Sequence, residues 1–322
     1  MLVSFVLVTD GKHNTLEKSI DSIFTQTNED YEVILICDNT MFENAKNDYV
    51  KNLFWKSKNI KLILNSSFQG ASVSWNNAID LAEGQYIKFL GQGDYVHKNY
   101  VEEIKNVIDR NATNKIDVLE YKVKFTDLGE GEETKVFLES NKIYNLKSEF
   151  HPFALTNVSL FNKIYRLKLL KDFGFRFRRF VRFDLLFVYK VLGQTENYIY
   201  IGDNFLEEKS IQPVQHSAFD QVNQWTHITN YYRRIAKYKE LKDYLNYAYY
   251  KAMCHIWLWL IIKYDNKLLI KKAANFVLKK FSDKREDFIQ NNKVFIEKRD
   301  SEFTEVCLDF SKYIKDILKQ AK

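Results

Sequence analysis

An α/β fold, with a mainly parallel, doubly wound sheet flanked by helices and a helical C-terminal region, is what this chain predicts, and three observations predict it. Short continuous apolar runs alternate with amphipathic stripes through the first 95 residues. Of the 322 residues, 46% are apolar and 16% aromatic, enough to fill a large core. Beyond about residue 216 the pattern changes to Tyr-, Trp- and Lys-rich helices with almost no Gly or Pro, which sets the expected domains at 1–215 and 216–322.

The runs Val3-Ser4-Phe5-Val6-Leu7-Val8, Val33-Ile34-Leu35-Ile36 and Ile60-Lys61-Leu62-Ile63-Leu64 have strand length and suit strands covered on both faces. Between the first two, Leu16, Ile20, Ile23 and Phe24 recur on one face of a helix, with Asn14 as its expected cap three residues before Glu17. A second helix is expected from about Ser72 to Ala82, stopped by Gly84 and followed by the strand Tyr86-Ile87-Lys88-Phe89-Leu90. Next come a helix through Val101, Ile104, Val107 and Ile108, a strand near Asp117 to Phe125, and a hairpin turning at Gly129-Glu130-Gly131. There is no internal repeat and no low-complexity linker.

The net charge of +6 is uneven, with 11 Lys+Arg against 15 Asp+Glu in residues 1–110 and 37 against 27 in the rest. A basic rear half suits phosphates of nucleotides or anionic lipid, or is simply a solvated exterior. Nucleic acid is not an expected partner, because aromatic and basic residues do not interleave in a recognition motif. Cys37, Cys254 and Cys307 are odd in number and far apart, which argues for reduced thiols rather than a disulfide or metal framework. The six histidines also lack metal-ligand spacing. The opening apolar run has no basic flank and meets Asp10 and Lys12 too soon for a signal peptide. Ile256 to Ile262 is far shorter than the roughly 20 residues a membrane helix needs. A cytoplasmic protein is expected.

A doubly wound sheet binds ligands beyond the carboxyl ends of its strands, so Thr9, Asp10, Asp38, Asn39 and Gly91 to Asp94 are the first site candidates. A carboxylate at Asp38 would accept from a ribose hydroxyl or a base N–H, or cap a helix starting near Phe42.

The order of these residues resembles glycosyltransferase family 2, the inverting GT-A enzymes, over about residues 2 to 212. Val3 to Thr9 running on to Ser22-Ile23-Phe24-Thr25-Gln26-Thr27 looks like the family's first βα unit. Tyr31 to Thr40 is similar to its second strand and Asp-Asp-Gly-Ser turn, with Cys37 for the first Asp and Asp38 for the second. Asn65, Gly70, Ser72 and Asn76, with Ala82 to Leu90, resemble the lead into its acidic signature, with Trp75 where many members place an arginine. The resemblance implies a nucleotide-sugar donor held by Thr9, Asp38, Asn39 and Asn76.

It also implies a divalent cation, Mg2+ or Mn2+, on an Asp-x-Asp-Asp signature that bridges the diphosphate. This chain reads Gly91-Gln92-Gly93-Asp94, so only Asp94 remains as a metal ligand. A poor metal site, leaving-group stabilisation by basic side chains, or a domain that no longer catalyses would each follow.

Phe161-Asn162-Lys163-Ile164-Tyr165-Arg166 looks like the Asn-Lys-Leu-Tyr-Arg segment of capsule and lipid-glycosylating members, and Arg182-Phe183-Asp184-Leu185-Leu186-Phe187 like their Glu-Asp-x-x-Phe element. Asp184 is then the general base for the acceptor hydroxyl, or caps the helix after it. From Lys163 to Arg182 there are eight basic residues against one acid, Asp172, and Lys163, Arg166 and Arg182 are candidates for phosphate or acceptor contact. Downstream, Lys263, Lys267, Lys271, Lys272, Lys279 and Lys280 among Leu268, Leu269, Ala273, Phe276 and Val277 form a basic amphipathic stretch. It suits an anionic membrane surface on the inner face of the membrane, or packs its apolar face on the protein body. The expected reaction is inverting transfer of a sugar from a nucleotide-sugar, a UDP-sugar first, to a glycolipid or surface-polysaccharide acceptor. The alternative is an inactive GT-A relative serving as a nucleotide-binding or glycosyltransferase-partner scaffold.

Overall fold

The opening apolar run forms β1 (Val3–Thr9), which lies between β2 (Tyr31–Cys37) and β4 (Tyr86–Leu90), with β3 (Ile60–Leu64) outside β2 and all four parallel. The computed structural model describes residues 1–9, 13–38, 52, 59–126, 132–178, 185–209, 219–263 and 266–320. Two compact units result, Met1–Lys147 with Ser159–Ile211, and Ser148–Val158 with Gln212–Lys322. Every residue of β2 and of β4 is buried, as continuous apolar runs in a sheet covered on both faces should be.

α1 (His13–Phe24) buries Leu16, Ile20 and Ile23, and it begins one residue before the Asn14 expected to cap it. α2 (Ala71–Leu81) ends at Ala82, so Gly84 is not the helix stop. A Cβ at Gly84 would lie 2.6 Å from the Ser4 hydroxyl and 2.8 Å from the Ser4 amide nitrogen, so glycine is needed there for close approach to β1.

The sheet continues beyond β4 with mixed pairing. β5 (Tyr95–Val96), α3 (Tyr100–Arg110), β6 (Val118–Phe125), β7 (Ile143–Asn145) and β8 (Lys163–Arg166) follow in the chain, then α5 (Leu167–Asp172), α6 (Leu185–Leu192) and β9 (Asn197–Lys209). Among the described residues the order is β3-β2-β1-β4-β8-β6-β9-β5, with β7 also on β9. β8 runs antiparallel to both β4 and β6, whereas β9 runs parallel to β6. The expected hairpin turn at Gly129 to Gly131 lies outside the described residues.

Glu32 shows how this sheet carries charge in its interior. Its Oε1 accepts from the Ser4 hydroxyl at 2.6 Å and the Glu83 amide at 2.7 Å, and Lys61 Nζ sits 2.8 Å from Oε2. Burial alone would raise the Glu32 pKa, but the hydrogen bonds from Lys61, Ser4 and Glu83 outweigh it and hold the carboxyl below its usual range. A depressed pKa gives stability that is present above the unfolded value of about 4.3 and lost as pH falls through the folded one. Glu32→Gln should therefore cost about 1–3 kcal/mol at pH 7 and much less near pH 3, as read from urea unfolding. An equal cost at both pH values would refute the assignment.

The second unit contains α4 (His151–Leu155), α7 (Asp220–Arg234), α8 (Tyr238–Lys251), a π-helix over Ala252–Trp257, and α9 (Leu258–Lys263). α10 (Lys267–Asn291), α11 (Lys293–Ile296), α12 (Ser301–Leu308) and α13 (Phe310–Gln320) complete it. Its core is aromatic: Phe281 meets the rings of Tyr250, Phe288 and Phe310 at 4.8, 5.7 and 5.0 Å. In α10 the stripe Ile270, Ala273, Ala274, Val277, Phe281 and Phe288 is buried, while Lys267, Lys271, Lys272, Lys279 and Lys280 are exposed. No helix among the described residues is long and apolar enough to cross a membrane.

Candidate active site

Three strand ends lie next to one another on one edge of the parallel sheet. Thr9 pairs with Cys37 and Leu7 with Leu90, so β1 and β2 finish level, β4 stops two residues short of them, and Asp38, Thr9 and Gly91 follow at the same end of three adjacent strands. Two strand spacings of about 4.8 Å and a stagger of two residues, about 6.6 Å, put Asp38 and Gly91 roughly 12 Å apart, the scale of a nucleotide lying across the edge.

Asp38 is buried, and its amide extends the ladder to Thr9 O at 2.9 Å. Its Oδ1 accepts from Asn65 Nδ2 at 2.8 Å and the Gln69 amide at 2.8 Å, and its Oδ2 from the Gly70 amide at 2.7 Å. The carboxylate thus holds the turn that opens α2, where Gly70 adopts φ 85°, a backbone conformation that favours glycine. The helix it serves is α2, a different one from the segment near Phe42, which lies outside the described residues along with Asp10 and Asn39.

The Gly91–Asp94 turn is built against α1. Ser19 Oγ donates to Asp94 O at 2.8 Å and accepts from the Gly93 amide at 2.8 Å, and Gln92 Nε2 donates to Thr15 Oγ1 at 2.6 Å. Further along the same face, Ser22 Oγ accepts from the Val96 amide and Gln26 bonds both His97 O and the Val101 amide. Ser19, Ser22 and Gln26 fall at i, i+3 and i+7, which explains physically the polar Ser22…Gln26 pattern in an otherwise apolar stripe.

Asp94 is buried, and its Oδ2 accepts from the Gly91 amide at 3.0 Å and pairs with the ammonium of Lys209. Lys209 Nζ also lies 4.0 Å from the centre of the Phe161 ring. Beneath this pair, Lys88 Nζ sits 2.6 Å from Glu207 Oε2, both fully buried, and Tyr121 OH donates to the same oxygen at 2.6 Å. Burial drives the Lys88 ammonium down and the Glu207 carboxyl up in pKa, each opposed by the other's charge. Glu207 and Lys209 stand two apart on β9 and so share a face.

The other candidates are placed elsewhere or otherwise engaged. Lys163 is fully buried, 2.9 Å from Glu120 Oε1 and donating to Ser159 O and Asn162 Oδ1, so it presents no charge to a ligand. Arg166 pairs in register with Tyr86 at the start of β4, the opposite end from Gly91, and its Nε donates to Asp117 Oδ1 at 2.7 Å. Asn76 clamps Phe177, its Nδ2 donating to Phe177 O at 3.0 Å and its Oδ1 accepting from the Phe177 amide at 2.8 Å. Trp75 packs on the rings of Phe177 at 4.9 Å and Phe89 at 5.9 Å. Arg182 and Asp184 lie outside the described residues; Phe177 and Phe187, on either side of them, stack ring to ring at 3.9 Å.

The residues present do not fit Mg2+ or Mn2+. Gly91 and Gly93 offer no ligand, and Asp94 already holds an ammonium. A Cβ at Gly91 would overlap Asp94 Oδ2 and lie 3.0 Å from Lys209 Nζ, so the space of the first signature carboxylate is taken. To bind Asp94, a divalent cation would have to displace the Lys209 ammonium from it. Among the described residues no group of three His, Cys, Asp or Glu side chains could hold a metal ion.

Sequence reasoning missed Lys209, Glu207 and Lys88. Lys88 carried the signal: one lysine amid Tyr86-Ile87 and Phe89-Leu90 requires a buried counter-charge. Nothing local said where that charge was, since Glu207 is 119 residues away.

A family model described as glycosyl transferase family 2 matches residues 4–174. An uncharacterised glycosyltransferase of Methanocaldococcus jannaschii is 26% identical over 292 residues, covering 86% of this chain and 91% of its own length. The UDP-Glc:alpha-D-GlcNAc-diphosphoundecaprenol beta-1,3-glucosyltransferase WfgD of Escherichia coli is 32% identical over 113 residues, which is 35% of this chain and 43% of that enzyme. Among solved structures, S. aureus TarS 1-349 in complex with UDP-GlcNAc superposes with a TM-score of 0.64 at 19% identity, covering 92% of this chain and 91% of that one. That likeness shows the GT-A fold.

Proposed function

Since the chain belongs to glycosyl transferase family 2, we propose that it transfers a sugar from a nucleotide-sugar, with UDP as the nucleotide, to a lipid-linked or polymeric glycan acceptor with inversion. The observation that carries this reading is the row of Thr9, Asp38 and the Gly91–Asp94 turn at the same end of three adjacent parallel strands. Such a row is where an open α/β sheet receives a nucleotide, and the Asp38 carboxylate, with three donors holding it, is rigid enough to fix a base or ribose. Relatives whose names specify undecaprenol-diphosphate or poly(ribitol-phosphate) acceptors support an acceptor of that kind. The exposed lysine face of α10 supports a peripheral place on the cytoplasmic membrane surface, where a lipid-linked acceptor would be met.

Inversion needs the acceptor oxygen to attack the anomeric carbon in line with the departing diphosphate while a base takes the hydroxyl proton, and Asp184 is that base. The altered Asp94 site favours one competing reading, a nucleotide-binding scaffold without turnover. The two separate on a panel of UDP-sugars with a lipid-diphosphate acceptor. A transferase should release UDP and extend the acceptor with at least one donor. Binding of UDP with no release from any donor would leave only the scaffold.

A further inference from the structure

We propose that the ammonium of Lys209 supplies the positive charge on which the nucleotide diphosphate departs, so that this site works without a divalent cation; the proposal rests on the transferase reading above. Lys209 ends β9, and its carbonyl accepts from the Thr126 amide at 3.0 Å, so the side chain springs from anchored backbone. Its ammonium lies on Asp94 and over the Phe161 ring. Lys88 and Lys163 are fully buried, whereas the Lys209 side chain keeps 17% of its surface exposed. Part of that side chain is therefore open to solvent, and its ammonium sits beside Gly91, at the strand end where the diphosphate would lie.

The charges around it also balance. Two ammonium groups, Lys88 and Lys209, meet two carboxylates, Asp94 and Glu207. The buried Lys88–Glu207 pair leaves Asp94 to orient Lys209, and Gly91 supplies the room that the Asp94–Lys209 pair occupies. An ammonium is a compact point charge with three donors and suits a phosphate oxygen. In the step itself the acceptor oxygen bonds the anomeric carbon and the bond from that carbon to the β-phosphate oxygen breaks. That oxygen keeps the electron pair beside Lys209, and the acceptor proton passes to Asp184. No electron changes hands.

Calorimetry on the full chain with UDP and with uridine, in EDTA and in Mn2+, tests the proposal independently of turnover. UDP should bind in EDTA within about twofold of its affinity in Mn2+. Lys209→Met should weaken UDP at least about tenfold and leave uridine within about twofold, which also reports that the variant is folded. Lys209→Arg keeps the charge and should keep most of the UDP affinity. The Lys209→Met/Asp94→Asn double variant leaves no uncompensated carboxylate and should lose UDP as the single variant does. In turnover, EDTA should change nothing, and Lys209→Met should lower kcat by about 100-fold or more. UDP binding that requires Mn2+, or parental UDP affinity in the double variant, would overturn the lysine's role. Absence of UDP binding both with and without Mn2+ would instead overturn the transferase reading and this proposal with it.

Discussion

Asp184→Asn is expected to lower kcat by about 10²- to 10⁴-fold while leaving the affinity for UDP unchanged. The substitution is isosteric, keeps a hydrogen-bond acceptor and removes only the capacity to take a proton. Donor binding is assigned to the strand ends, at Asp38 and the Gly91–Asp94 turn, so a base on the acceptor side should show no effect there. The loss should fall on the chemical step, and the acid limb of the kcat/KM profile, where a carboxylate base protonates, should disappear. Asp38→Ala should behave in the opposite way. It frees the Asn65, Gln69 and Gly70 donors, loosens the entry to α2 and weakens the nucleotide. Unchanged turnover in Asp184→Asn would remove Asp184 from the mechanism without touching the fold.

How far such a site can be read from sequence depends on whether its determinants are local. β1 to β4 and the first two helices were legible because burial on both faces writes short apolar runs and i, i+4 stripes directly into neighbouring residues. Asp38, following a buried strand at once, was legible as a strand-end residue for the same reason. Its partners Asn65, Gln69 and Gly70 were not, because a turn 27 to 32 residues away leaves no mark beside it.

The basic run from Lys163 to Arg182 shows the cost of counting charge locally. It looked uncompensated next to its single acid, yet Lys163 meets Glu120, Arg166 meets Asp117 and Arg176 meets Asp80, all from other elements. A sheet supplies counter-charges across strands, so linear charge density overstated the field available to a phosphate. The same non-locality hid Lys209, whose contact with Asp94 spans 115 residues and yet decides the character of the metal motif.

The buried pair beneath that motif should give the largest stability effect. Lys88→Met keeps the stem volume but strands the Glu207 carboxylate at 0% exposure, and removing one member of such a pair is expected to cost about 3–5 kcal/mol. Tyr121 would remain as a donor to Glu207, while the carboxylate would lose the ammonium 2.6 Å away. Burial already raises the Glu207 pKa, and loss of Lys88 would raise it further. A raised carboxyl pKa means that the folded chain binds the proton more tightly than the unfolded one, so stability falls as pH rises through it. The deficit of Lys88→Met should therefore be larger at pH 8 than at pH 5 in urea unfolding. Lys88→Met/Glu207→Gln removes the charge imbalance and should recover most of the loss, since an uncharged pair of similar volume is tolerated where a lone ion is not. Equal losses in the single and double variants would mean that packing of the lysine stem, and not the ion pair, holds β4 to β9 beneath Asp94.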